Sequence, residues 1–135
     1  MKKKAVMVCC ALLSLLILTG CNADSPIKSI SEAAKIEILV SETDETVVLT
    51  ETEAVCHICD NLASLKLRKM EYNEPTMLVY TLRFYDADGE QLEVIRIPAH
   101  DWIDYGDGYF YSITGGELDR GYINEIVDAV KTGWK

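Results

Sequence analysis

The stretch MLVYTLRFYDADGEQLEVIRI, Met77 to Ile97, decides the fold. Leu78, Tyr80, Leu82 and Phe84 recur at every second position, the period of a strand buried on one face. Thr81 and Arg83 fall on the other face with Met77 and Val79. Asp86-Ala87-Asp88-Gly89 then breaks the alternation, and Gly89 is free to take a positive φ, so the chain turns there. Glu90 to Ile97 returns as the partner strand, and Pro98, with no amide hydrogen to donate, ends it. A long hairpin in the middle of the chain predicts an antiparallel sheet as the framework.

Outward from this hairpin toward the C-terminus, Trp102 to Tyr105 and Tyr109 to Ile113 flank Gly106-Asp107-Gly108 and read as a second hairpin. Thr114-Gly115-Gly116-Glu117 has the form of a capping box. It opens a predicted helix from about Gly116 to Lys131, with Leu118, Tyr122, Ile126 and Val130, joined by Ile123 and Val127, as its apolar stripe. Lys131 suits the negative end of the helix dipole, and Gly133 is a stop signal.

Toward the N-terminus, Asn73 and Pro75 mark a loop over Tyr72 to Thr76. Leu65, Leu67 and Met70 alternate with Lys66, Arg68 and Lys69, the pattern of a short strand. Thr50-Glu51-Thr52-Glu53 is another capping box, with Thr50 as N-cap, and opens a helix running to about Leu65. Val55, Ile58, Cys59 and Leu62 share one face of it, while His57, Asp60 and Asn61 point away. Ile36, Ile38 and Val40 alternate, Ser41 to Glu45 is a polar turn, and Thr46 to Leu49 is β-branched, so this pair reads as another hairpin. The expected order is β-β-α-(β)-β-β-β-β-α. That is an α+β chain, an antiparallel sheet of about five to seven short strands with two amphipathic helices packed on it.

Asn22 to Lys35, with Ser25-Pro26, Ser29 and Ser31, has little apolar periodicity and is expected to be a flexible tether, reaching ~20 Å on average. Ser31 to Lys35 adds at most a helical turn. Before it, Lys2, Lys3 and Lys4 precede an apolar run from Ala5 to Leu18, followed by Thr19, Gly20 and Cys21. The run is shorter than the roughly 20 residues that span a bilayer, and its cationic start, apolar centre and small residues have the form of an export signal. The segment resembles a bacterial lipoprotein signal peptide, on the lipobox Leu18-Thr19-Gly20-Cys21. The resemblance implies that the Cys21 thiol receives a diacylglyceryl group and that cleavage before it makes Cys21 the first mature residue. It further implies a lipid (palmitate-type) anchor on the extracytoplasmic face of the cell membrane. Two acyl chains hold stably where one is marginal, at ~0.8 kcal/mol per buried CH₂. The expected division is residues 1–20 signal peptide, 21–35 lipidated cysteine and tether, and 36–135 a single α+β domain. The layout of tether, compact domain, late aromatic hairpin and terminal helix also resembles small uncharacterised lipoproteins of Gram-positive bacteria. That likeness implies a location and no activity.

All 22 acidic residues follow Cys21, while three of the 13 basic ones precede it, leaving ten basic against 22 acidic residues and a net charge of −12 after cleavage. Such a domain has no basic footprint for nucleic acid and is repelled by anionic lipid. Its membrane partner is therefore the bilayer reached through the lipid on Cys21. A protein, or a small cationic or polar ligand, fits its charge.

Cys9 and Cys10 leave with the signal and Cys21 is acylated, so Cys56 and Cys59 remain. Their CxxC spacing is that of thiol oxidoreductases, where the first cysteine sits at a helix N-terminus and its pKa falls. Here the capping box puts both inside the helix. Free thiols on its buried face and flank, an i,i+3 disulfide, and redox or metal work with His57 all stay open, free thiols being favoured. A structural zinc site needs four ligands, and the only imidazoles are His57 and His100.

Other motifs are weaker. Ser25-Pro26-Ile27-Lys28 and Lys131-Thr132-Gly133 match S-x-x-K and K-T-G of penicillin-binding enzymes, but the serine lies in the expected tether and no S-D-N element exists. His100-Asp101 is an adjacent pair whose side chains diverge in extended chain. Asp86 to Glu90 begins like a calcium loop and lacks its later ligands. Nearly half of the eleven aromatics, namely Trp102, Tyr105, Tyr109, Phe110 and Tyr111, fall within ten residues, with Asp101, Asp104 and Asp107 among them. Aromatics on a hairpin can form a binding platform. Trp102, Tyr105, Tyr109 and Tyr111 are the expected ligand-binding residues, although alternation sends Phe110 to the opposite face from Tyr109 and Tyr111. No catalytic set and no cofactor is indicated. The expected function is a membrane-anchored, non-enzymatic binding or accessory domain; the alternative is a thiol redox or metal-handling lipoprotein using Cys56 and Cys59.

Overall fold

A computed structural model describes residues 29–71, 77–104 and 109–133. The expected signal segment, Cys21 and the tether as far as residue 28 lie outside these residues, as do the loop over 72–76 and Tyr105. After a 3-10 turn, Ser29–Glu32, the elements are β1 (Lys35–Val40), β2 (Glu45–Leu49), α1 (Thr52–Ser64), β3 (Lys66–Lys69), β4 (Leu78–Tyr85), β5 (Gln91–Pro98), β6 (Trp102–Asp104), β7 (Phe110–Gly115) and α2 (Arg120–Gly133). The chain is α+β, in the expected order. Its seven described strands form one sheet, β2-β1-β4-β5-β6-β7-β3, in which every neighbouring pair is antiparallel.

The β4–β5 hairpin is the centre of this sheet. Leu82 lies opposite Ile95 and Tyr80 opposite Ile97, and β1 joins on the far side with Ile36 opposite Phe84 and Ile38 opposite Leu82. Ile36, Ile38, Leu82, Phe84, Ile95 and Ile97 have no exposed surface. Each such side chain contributes about 1.5–3 kcal/mol by leaving water. The turn is closed from within. The Asp86 carboxylate accepts the amide hydrogens of Asp88 and Glu90, each at 2.9 Å, and Gly89 takes a φ of 83°. The buried residues of α1 (Val55, Ile58, Cys59, Leu62) and of α2 (Ile123, Val127) join the same core cluster, so both helices cover one face. The other face carries Glu37, Thr81, Arg83, Arg96 and Trp102.

The strand after α1 pairs across the whole sheet. β2 is one edge and β3 the other, six strand spacings or ~29 Å apart. The 13 residues of α1, ~20 Å long, carry most of that crossing over the core. β3 closes on β7, with Leu67 opposite Ile113.

Three expectations about element ends are corrected. α1 starts at Thr52, with Glu51 at the N-cap position and no side-chain cap. Thr50 lies between the end of β2, where Leu49 pairs with Ile36, and Glu51, whose backbone is still extended at φ −66° and ψ 123°. α2 starts at Arg120 and not near Gly116. Thr114 and Gly115 belong to β7: the Thr114 hydroxyl donates to the Lys66 carbonyl at 3.2 Å, and Gly115 lies opposite Lys66. Gly116 then turns the chain at a φ of 78°, and Asp119 caps α2, its Oδ1 accepting the Tyr122 amide hydrogen at 3.1 Å. Finally, the stretch expected to be slack as far as Lys35 is docked from Ile30 onward. Ile30 is 1 % exposed, and the Ala34 amide donates to the Tyr85 carbonyl at 2.8 Å.

Candidate functional site

The aromatic hairpin does not form one platform. In β6 and β7, Trp102 lies opposite Ser112 and Asp104 opposite Phe110, while Ile103 lies opposite Tyr111. Trp102 and Phe110 therefore share the helix-free face, where their rings stack at 5.9 Å and His100 tilts against Trp102 at 5.2 Å. Tyr111 is on the helix-bearing face with Ile103, which has no exposed surface. Tyr109 is 45 % exposed, with the Lys69 ammonium 3.3 Å from its ring centroid, a cation–π contact. Of the four expected ligand-binding residues, Trp102 and Tyr111 face opposite ways, Tyr109 lies with Lys69 at the β3 edge, and Tyr105 is outside the described residues.

A cleft of about 840 Å³ lies where the connection from β7 to α2 passes α1 and the β5–β6 loop, lined by Asn61, Asp101, Ile113, Glu117, Asp119 and Arg120 among others. Asn61 is the piece from α1. Its amide nitrogen donates to the Glu117 carbonyl at 2.8 Å, and its amide oxygen accepts the Asp119 amide hydrogen at 2.8 Å. One side chain thus satisfies a donor and an acceptor in a connection that has no ladder of its own. One turn earlier, His57 stacks on Tyr122 at 3.8 Å and places Nε2 3.0 Å from Asp119 Oδ2. The hydrogen bond from His57, then that from the Tyr122 amide, hold the Asp119 carboxyl below its ordinary range.

Arg120 forms the opposite wall. Its guanidinium donates to the Pro98 carbonyl at 2.7 Å and to the His100 carbonyl, fastening the β5–β6 loop to the start of α2. Burial lowers its pKa, and the nearby Asp101 charge opposes that shift. The lining residues thus include three acidic ones, Asp101, Glu117 and Asp119, and one cation, Arg120. Two residues of the expected features border the cleft, Asp101 directly and His57 through its contact with Asp119. Asp101 comes from the aromatic hairpin, and His57 from the outward face of α1.

A second cleft, about 520 Å³, lies between the ends of β1 and β4 and the side of α2, lined by Val40, Glu42, Met77, Tyr80, Asn124 and Val127 among others. Met77 is 78 % exposed at its rim. The Tyr80 hydroxyl donates to Asn124, and burial is the main cause of its raised pKa.

Cys56 is exposed and Cys59 buried, both as free thiols inside α1. Burial, then the neighbouring Cys56 and Asp60 charges, push Cys59 up to about 11, so its thiolate is scarce at neutral pH. Among the described residues, no three His, Cys, Asp or Glu side chains are grouped to hold a metal ion. No helix among them is long and apolar enough to cross a membrane.

Asn61, Glu117, Asp119 and Arg120 were not legible as site residues. Asp119 did carry a signal, an aspartate immediately before the apolar stripe of α2, which is a preferred N-cap. The more conspicuous Thr114–Glu117 box masked it. No protein family, curated protein or solved structure matches the chain.

Proposed function

We propose that the protein is a lipid-anchored domain on the extracytoplasmic face of the membrane, and that it works by binding a cationic or polar ligand rather than by catalysis. The anchor is Cys21, read from the lipobox Leu18-Thr19-Gly20-Cys21. The observation that carries the binding reading is the cleft between Asn61, Asp101, Glu117 and Arg120. It is roomy enough for a small molecule, its carboxylates outnumber its cations, and hydrogen bonds from Asn61 and Arg120 hold its walls in place. The thiol alternative is not adopted, because Cys59 is buried and protonated.

The two halves are tested separately. A Cys21→Ser chain leaves the membrane fraction and loses the mobility shift of the lipid; retention with unchanged mobility refutes the anchor. For the cleft, spermidine serves as an organic-cation probe in a titration followed by amide chemical shifts. Shifts confined to Asn61, Asp101 and 117–121, and abolished by Asp101→Asn with Glu117→Gln, support the reading. Shifts scattered over the acidic surface refute it.

A further inference from the structure

The strand directions sort the molecule into two poles. β1 enters the sheet beside the end of β4, with Lys35 opposite Tyr85, so Ile30, Leu49 and the Asp86–Gly89 turn lie together at one pole. At the other pole the Ser41 amide donates to the Val79 carbonyl and the Ala99 amide to the Met77 carbonyl, each at 3.0 Å. Both clefts open at this second pole, since one is lined by Val40, Glu42 and Met77 and the other by Asp101, Gly116 and Arg120. The eight residues of β4 set the poles ~26 Å apart.

We propose that the membrane lies at the Ile30 pole, and that the pole carrying both clefts is turned outward, toward partners in the aqueous extracytoplasmic space. The proposal rests on the reading of Cys21 as the anchor. From Cys21 to Ser29 is eight backbone steps, which cannot reach further than ~28 Å. To set Met77 or Asp101 against lipid, that segment would have to run back along the ~26 Å of the strands. Almost all of its length would be consumed. With the Ile30 pole down, no such span is needed. Charge sets the distance from the bilayer and not the orientation, because acidic residues are exposed at both poles. Glu32, Glu51, Asp88 and Glu90 are exposed at the Ile30 pole, and anionic headgroups repel them. The clefts then face the aqueous space, where the cationic or polar ligand proposed above is dissolved.

The test uses the full chain, lipid-modified in bacteria and reconstituted into phosphatidylcholine–phosphatidylglycerol vesicles that carry headgroup nitroxides. Asp88→Cys and Glu42→Cys, each in a Cys56→Ser background, take a fluorophore at one pole or the other; both positions are exposed. The expected result is quenching at position 88 at least about twofold stronger than at 42, given the ~26 Å between the poles. Equal or reversed quenching, with the protein still in the membrane fraction, overturns the orientation alone. Protein that stays off the vesicles, with Cys21→Ser behaving identically, overturns the anchor and this proposal with it.

Discussion

His57 Nε2 lies 3.0 Å from Asp119 Oδ2, across 62 residues of chain. The same aspartate caps α2 through its other oxygen, so one carboxylate ends a helix and ties it to its neighbour. Removing it breaks both contacts, whereas removing the histidine breaks one. Asp119→Ala therefore lowers the thermal midpoint more than His57→Ala does, and a double-mutant cycle between the two positions shows only weak coupling, because both side chains are close to half exposed.

The pH dependence at Asp119 follows from the direction of its shift. Its folded carboxyl lies below the ordinary aspartate value of 3.8. Its contribution is present above that value and is lost as pH falls through the lower folded one. Urea titrations of wild type and Asp119→Asn should differ steadily at neutral pH and converge below 3.8. A difference that persists unchanged into strong acid contradicts the assignment.

Cys59 acts at the alkaline end. Its folded thiol is raised from 9.0 to about 11, so above pH 9 the unfolded chain releases the proton first. Stability conferred by the buried thiol is complete below pH 9 and declines as pH rises toward 11. Cys59→Ala should flatten that decline. Thiol labelling at pH 8 should modify Cys56 in native protein and reach Cys59 only in denaturant; rapid labelling of both would restore the thiol-enzyme alternative.

Arg120 holds the β5–β6 loop by two backbone carbonyls. Arg120→Met keeps much of the stem but leaves both carbonyls without their charged donor, a loss of about 1.5–3 kcal/mol. Hydrogen exchange should accelerate in residues 99–101 and leave the β4–β5 ladder unchanged.

Ile30 reports on the start of the folded unit. Truncation to alanine at a site with 1 % exposure should cost about 2–4 kcal/mol, read from the denaturant midpoint. A chain in which these residues were merely tether would lose nothing.

By itself, the sequence determined the class of the fold and the faces of its elements. Period-two alternation in Leu78–Phe84 and Ile36–Val40, and the helical spacing of Val55, Ile58 and Leu62, depend only on local geometry. Ile36, Ile38, Val40, Val55, Ile58, Leu62, Tyr80, Leu82 and Phe84 are accordingly buried as named, whereas Val130 of the expected stripe is exposed and Ile30 of the expected tether is buried. Its lipobox also carries the proposed address, as a matter of chain chemistry independent of folding. Tertiary structure alone decided which strands became neighbours. β3 crosses to β7 because that edge was open and α1 could cover the core on the way, and that pairing took Thr114 into the sheet and moved the start of α2 to Arg120. The connection that this leaves between β7 and α2 lines the cleft. Asn61, Asp101 and the Asp119-Arg120 pair come from three separate parts of the chain, only Asp119 carries a local signal, and long-range pairing of strands brought them to one pole.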